Sequence, residues 1–210
     1  MTRVDYNKEF FSEINPLSSY WAGFIAADGC LTNKPSCRVV FNLSQEDREH
    51  LKSFQYSTSH TGKVYERVED GASYLYFGSA YKWHEDLRNN FNIFPNKSLT
   101  IKPPSIEDRL PFIIGYMDGD GCIGRYLDSK GKNYHTTIKI LGTEPMLLWI
   151  KDTFDGLTEN KKAKVNPATK SIYQYRIQGK RALELIRILH KIPVPKLERK
   201  WNQPWLLEML

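Results

Sequence analysis

The sequence predicts an α/β protein of the α+β kind, built as an internal duplication. Each copy runs helix, two strands, helix, two strands, helix, and makes one four-stranded antiparallel sheet. Three observations carry this. The segment Trp21-Ala-Gly-Phe-Ile-Ala-Ala-Asp28-Gly29 returns as Ile113-Ile-Gly-Tyr-Met-Asp118-Gly-Asp120-Gly121, with Asp28 and Asp120 matched 92 positions apart. After each copy the apolar spacing changes between helical and strand periods in the same order. Between them lies Asn96 to Arg109, whose stiffest part is Pro103-Pro104. The boundaries read from this are a first repeat at 1–100, a linker at 101–111 and a second repeat at 112–210.

Residues 1–17 are polar apart from aromatics such as Phe10 and Phe11, and Pro16, Ser18 and Ser19 form a helix-start signal ahead of Tyr20. The apolar run that follows is a helix ending in Asp28-Gly29, where Gly is expected as the left-handed stop. Small residues four apart, Gly23/Ala27 and Gly115/Gly119, would let the two motif helices pack backbone to backbone. A turn at Thr32, Asn33, Lys34 and Pro35 leads to the strand Cys37 to Leu43. Its alternation sets Val39, Phe41 and Leu43 against Arg38 and Asn42. Ser44-Gln-Glu-Asp47 is a helix N-terminal signature running on through Leu51 and Phe54. Strands at Gly62 to Val68 and Ala72 to Gly78 flank the hairpin-like Glu69-Asp70-Gly71, and Ser79 opens a helix with Trp83, Leu87 and Phe91 on one face.

The second half repeats this. A helix from about Leu110 precedes strands near Cys122 to Leu127 and Tyr134 to Leu141, joined by a looser connection with Ser129, Lys130 and Gly131. Thr143-Glu-Pro145 starts a helix through Leu147, Ile150 and Phe154. Strands near Lys162 to Asn166 and Ser171 to Gln178 come before a helix from Lys180 to His190, ended by Pro193 and Pro195.

At 210 residues, 40% hydrophobic and 26% charged, the chain has the balance of a globular protein that buries a core. No apolar run approaches the length of a membrane span, and Met1 to Asn15 is too polar for a secretory signal, so an intracellular location is expected. Three cysteines without a paired Cys-x-x-Cys argue against both a disulfide framework and a zinc site. The net charge of +6 hints at a polyanionic partner, and its distribution says more. Residues 1–111 hold 13 basic against 14 acidic side chains, and 112–210 hold 17 against 10, so a nucleic-acid footprint should lean on the second half.

The ends of the motif helices carry the chemistry. A carboxylate at a helix C-terminus sits on the negative end of the macrodipole, and side-by-side helices would bring two together. A divalent cation bound through oxygen, with Mg2+ the natural choice, would resolve that conflict.

The two segments resemble the paired motifs of LAGLIDADG homing endonucleases in their single-chain form. Each is followed by Cys and an aliphatic residue, Cys30-Leu31 and Cys122-Ile123. The first copy departs at the sixth position, where Ala26 stands against Asp118. The resemblance implies that the two sheets form a DNA-binding saddle around the central helices. It also implies a monomer that cuts one phosphodiester in each strand of a long, non-palindromic DNA duplex across the minor groove. Asp28 and Asp120 would hold Mg2+ together with the carbonyls of Ala27 and Gly119. Mn2+ would substitute, and Ca2+ would support binding without cleavage. A mobile-element role, free-standing or intron-encoded, follows from the resemblance alone. A rival on the same scaffold is an inactive DNA-binding regulator or RNA-splicing maturase.

By resemblance, Gln45 would order active-site water, its counterpart lying near Gly142 or Thr143. Lys97 and Lys200 would be active-site lysines, the bland alternative being surface lysines at helix ends. Arg38, Asn42, Arg125, Lys139, Gln174, Arg176 and Gln178 occupy the polar strand faces, either as DNA contacts or as merely solvated positions. Asp118 reads as a helix-packing or capping group. Trp21, Phe24, Tyr116 and Met117 read as core, and none of the histidines has metal-ligand spacing.

Overall fold

The computed structural model describes residues 4–33, 35–67, 71–128 and 131–210. Lys34, Glu69, Asp70, Ser129 and Lys130, which the sequence assigns to turns, Val68, which it assigns to a strand, and the first three positions lie outside them. In order come helix α1 (Pro16–Asp28), strands β1 (Cys30–Leu31) and β2 (Val39–Ser44), helix α2 (Arg48–Ser57), strands β3 (Tyr65–Arg67) and β4 (Ala72–Phe77), and helix α3 (Tyr81–Phe91). The second half supplies α4 (Leu110–Asp120), β5 (Gly121–Leu127), β6 (Tyr134–Gly142), α5 (Glu144–Leu157), β7 (Val165–Pro167), β8 (Tyr173–Gln178) and α6 (Lys180–His190). Two short helices, α7 (Glu198–Trp201) and α8 (Pro204–Leu207), follow beyond the last element the sequence predicts. No helix among the described residues is long and apolar enough to cross a membrane.

Both sheets are four-stranded and antiparallel with the same order, β1-β2-β4-β3 and β5-β6-β8-β7. Alternation puts Val39, Phe41, Leu75 and Phe77 of the first sheet, and Ile138, Ile140, Tyr175 and Ile177 of the second, into the core. Pairs such as Phe41 with Leu75 and Ile140 with Tyr175 stand directly opposite across the ladders, so one face of each sheet is covered and the other is open.

The centre of the molecule is the contact between α1 and α4. A Cβ on Gly23 would fall 2.0 Å from the Phe112 carbonyl oxygen, and one on Gly115 would fall 1.9 Å from that of Tyr20. At Gly119 it would lie 2.3 Å from the Ala27 Cβ. The small-residue spacing therefore does what the sequence predicts, letting two backbones touch with no side chain between them.

Local details differ. The cap of α1 is Asn15, whose side chain accepts from the Leu17 and Ser18 N–H groups while Ser18 Oγ accepts from the Asn15 N–H, so the helix starts earlier than the serines suggest. Gly29 and Gly121 are extended (φ −76° and −102°) rather than left-handed. Glycine is needed there for space, since a Cβ would come within 2.8 Å of Ile25 Cα and 2.5 Å of the Met117 carbonyl oxygen. Ser44 caps a single 3-10 turn, Gln45–Asp47, before α2 begins.

Gly115→Ala should cost more than about 3 kcal/mol or prevent folding, because neither backbone can yield. Gly124→Ala, on an open strand face with nothing within 4 Å, should stay within about 0.5 kcal/mol of wild type. Urea unfolding of the two variants reads the difference.

A candidate active site at the paired helix ends

Helix α1 ends at Asp28 and α4 at Asp120, whose carboxylates reach solvent on one side while protein crowds them on the others. The helix contact holds these ends together, and a Cβ on Gly119 would lie 3.2 Å from Asp28 Cγ. Neither helix has a basic residue in its own last turn. The cations come from elsewhere. Lys97 Nζ donates to the Gly29 carbonyl at 2.6 Å, and Lys200 Nζ donates to the carbonyls of Met117, Asp118 and Gly119 at 3.1, 2.6 and 3.0 Å. Both lysines are buried, at 6% and 7% exposure, so neither is the surface side chain of the bland reading. Their ammonium groups satisfy carbonyls at the two helix ends and oppose the macrodipoles there. The electrostatic conflict ascribed above to a divalent cation is thus already partly relieved by protein charge.

The charges cross over. Burial raises the Asp28 pKa, and of the cations that pull it back Lys200 is the strongest, ahead of Lys97. Burial and then the Asp28 charge push Asp120 up to about 6, and there Lys97 outweighs Lys200. Burial lowers both lysines, Lys97 being held up mainly by Asp120. Each lysine therefore rests on the end of its own half's helix and also bears on the carboxylate of the other half, although the carboxylate that acts most on Lys200 is the buried Asp118 beneath it.

The two sides are not equivalent. Tyr116 Oη stands within hydrogen-bond reach of both Asp120 and the Leu141 carbonyl, 3.2 Å from the latter, and its single proton serves one of them at a time, whereas the matching position in the first copy is Phe24. Gln45 is exposed at the end of β2, but of the two positions that could match it Gly142 has no side chain and Thr143 is buried and donates to the Ile101 carbonyl at 2.6 Å. Asp47, two residues after Gln45, accepts both arms of Arg199 at 2.7 and 2.9 Å, a bidentate ion pair that joins the halves. Asp118 is wholly buried and accepts from Tyr20 Oη, the Leu197 N–H and Trp201 Nε1. That agrees with its reading as a packing group. Since the one Tyr20 hydroxyl proton goes to Asp118, His50 Nε2, 2.9 Å from Tyr20 Oη, must carry a proton and donate.

The open sheet faces follow from register. In the first half Val40, Asn42, Tyr74, Tyr76 and Tyr65 share a face, with Tyr65 stacked on Tyr74 and Tyr76 at ring separations of 5.2 and 5.9 Å. Exposed Arg38 precedes β2 in phase with them. In the second half Lys139 stands opposite Arg176, with Gln174 and Gln178 on the same face. The Arg176 guanidinium lies 5.1 Å from the centre of the Tyr126 ring, and the Gln178 amide, oriented as its neighbours require, accepts from that guanidinium. Arg125 is the exception. It pairs with Thr136 and so points with Ile123 and Ile138 toward the helix side, where it lies over the rings of Tyr134 and Trp205. Its exposure comes from its place near the end of the hairpin.

Neither protein-family models nor the curated proteins give a match to this sequence. Solved structures do. The I-LtrWI LAGLIDADG homing endonuclease bound to target DNA superposes with a TM-score of 0.64 over 97% of this chain and 90% of that one, at 12% identity. The meganuclease I-SmaMI bound to uncleaveable DNA gives 0.68 over 94% and 89%, at 11% identity. The LAGLIDADG meganuclease I-AabMI bound to uncleaved DNA gives 0.61 over 93% and 89%, at 15% identity.

The chain has the LAGLIDADG homing endonuclease fold. On that fold the structure gathers Asp28, Asp120, Lys97, Lys200 and the half-buried Ala27 and Gly119 at one place. The tie to Gln45 is indirect, through Asp47 two positions on, whose charge acts on Asp28. The LAGLIDADG motif itself gives no sign of Tyr116 or of the Asp47–Arg199 pair. Tyr116 sits on the apolar spacing and differs from core only by its hydroxyl. The ion pair joins residues 152 apart.

Burial pulls the His50 pKa down to about 4 from its usual 6.5. The folded chain thus refuses a proton that the unfolded chain accepts, and this contribution is complete above pH 6.5 and lost as the pH falls toward 4. Between pH 7 and pH 5 wild type should lose about 2 kcal/mol more than His50→Gln. Denaturant unfolding at both pH values checks it.

Proposed function

We propose that this chain is a site-specific endonuclease of double-stranded DNA that uses divalent metal to hydrolyse one phosphodiester in each strand. The observation that carries the proposal is the pair of carboxylates at abutting helix ends, backed by two buried lysines and flanked by two open sheet faces. The three solved structures named above are bound to DNA, and I-SmaMI was also determined on an uncleaved target in the presence of calcium ions.

The donor set fits a hard cation. Two carboxylates lie close enough that one raises the pKa of the other, an oxygen-rich arrangement suited to Mg2+ or Mn2+. Asp28 and Asp120 would hold the metal with the carbonyls of Ala27 and Gly119, the latter sharing its oxygen with Lys200. Bound there, divalent metal would supply an activated water and charge neutralisation on the phosphate. Lys200 and Lys97, already partly desolvated, would stabilise charge that develops on the scissile phosphates. The exposed amide of Gln45 would order water on the Asp28 side. Lys139, Arg176, Gln174 and Gln178 would face one half-site, and Arg38 and Asn42 the other.

Asp28→Asn and Asp120→Asn should each keep target affinity in Ca2+ within about tenfold, while double-strand cleavage in Mg2+ falls by orders of magnitude. Near-normal cutting by either would remove these residues from catalysis. A wild-type chain that binds its selected target and leaves it whole in Mg2+ would be a binding module instead.

The halves should not contribute alike to affinity, because the open face of the first is tyrosine-rich and that of the second is basic. Arg176→Ala or Lys139→Ala should lower the slope of log affinity against log salt by about one, and Arg38→Ala by less. Equal slopes would place the charge asymmetry off the DNA-facing sheets.

A further inference from the structure

Lys200 sits on α7, four residues long and too short to hold its own shape. Something outside the helix must aim it. Two anchors flank the lysine on either side, and both end on one carboxylate. The Leu197 N–H donates to Asp118 Oδ2 at 2.8 Å, and Trp201 Nε1 donates to Oδ1 at 2.6 Å. Leu197 and Trp201 are 3% and 0% exposed and Asp118 is 0% exposed, so water cannot replace these bonds cheaply. The third donor to Asp118, Tyr20 Oη at 2.6 Å, comes from the other motif helix and fixes the carboxylate from behind.

The first half has no such device. The position that matches Asp118 is Ala26, and Tyr20 is matched by Phe112. Lys97 is held instead by a backbone 3-10 turn, in which its own carbonyl accepts from the N–H groups of Thr100 and Ile101.

We propose that Asp118 is a positioning residue for Lys200. Its buried carboxylate clamps the chain on both sides of that lysine, holding the ammonium against the carbonyls that end α4. The role is absent from the Lys97 side. This rests on the nuclease reading above for its functional consequence, but the clamp itself can be tested without it.

The structural readout is reductive methylation of lysines in the full chain, followed by peptide mass spectrometry. In wild type both Lys97 and Lys200 should be protected. In Asp118→Asn, and in Trp201→Phe should the former fail to fold, Lys200 should become reactive while Lys97 stays protected. Unchanged protection of Lys200, or equal loss at both lysines, overturns the proposal.

The functional readout is cleavage of a duplex labelled differently on each strand. Lys200 rests on the carbonyls that end α4, and Lys97 on the carbonyl that follows α1, so each backs a different helix end. Asp118→Asn or Trp201→Phe should therefore slow one strand by about 10- to 100-fold and leave nicked product. Lys200→Met should slow that same strand, and Lys97→Met the other. Trp201→Phe combined with Lys200→Met should be no slower than Lys200→Met alone. Equal slowing of both strands, or additive effects in the double variant, would mean that Asp118 is core packing only. A wild type that cuts no duplex would defeat the nuclease reading, and the methylation result would still decide the clamp.

Discussion

Helices α1 and α4 approach so closely that Gly23 and Gly115 leave no room for a methyl group, and everything at the site inherits its position from that contact. The contact runs to the last turn, where Gly119 meets Ala27, so the two helices end side by side, and both end in Asp. The sheets then diverge from those ends, since β1 and β5 begin within two residues of Asp28 and Asp120. One steric condition therefore fixes the spacing of the carboxylates and the placing of both open faces around them.

Close packing creates an electrostatic problem and the tails of the two halves answer it. Carbonyl dipoles and carboxylates gather at one point, and each half sends back a segment carrying a buried lysine. An ammonium with three carbonyl partners, as at Lys200, is satisfied without a carboxylate in contact, which leaves the acidic groups available for other ligands. The cost is two partly desolvated cations, visible in the lowered pKa of both lysines.

Much of this was legible in the sequence because it is periodic or duplicated. Strand alternation, the small-residue spacing and the repeated Asp-Gly all survive translation into structure, and α6 begins and ends where the pattern puts it. What was not legible falls into two kinds. Where space rather than dihedral angle demands glycine, as at Gly29 and Gly121, a sequence gives the residue but not the reason. Where function depends on contacts across more than 80 residues, as for Lys200, Arg199 and Trp201, local pattern holds no trace of them. Arg125 fails for a third reason. A polar residue in an alternating strand was assigned to the polar face, yet the register places it with Ile123, and its guanidinium lies over two aromatic rings.

The ion pair between Asp47 and Arg199 bears on the engineering of chimaeras. Two copies of one ancestral unit invite exchange, with a first half from one chain joined to a second half from another. Here each half finishes the other, since Asp47 belongs to the first and Arg199 to the second, and Tyr20 of the first closes the hydrogen-bond set of Asp118 in the second. A transplanted first half would have to bring Tyr20 and Asp47 to a recipient that already displays Asp118 and Arg199. Helix surfaces compatible enough to dock would not suffice, so the unit of recombination in this protein is the pair of halves together with its cross-ties.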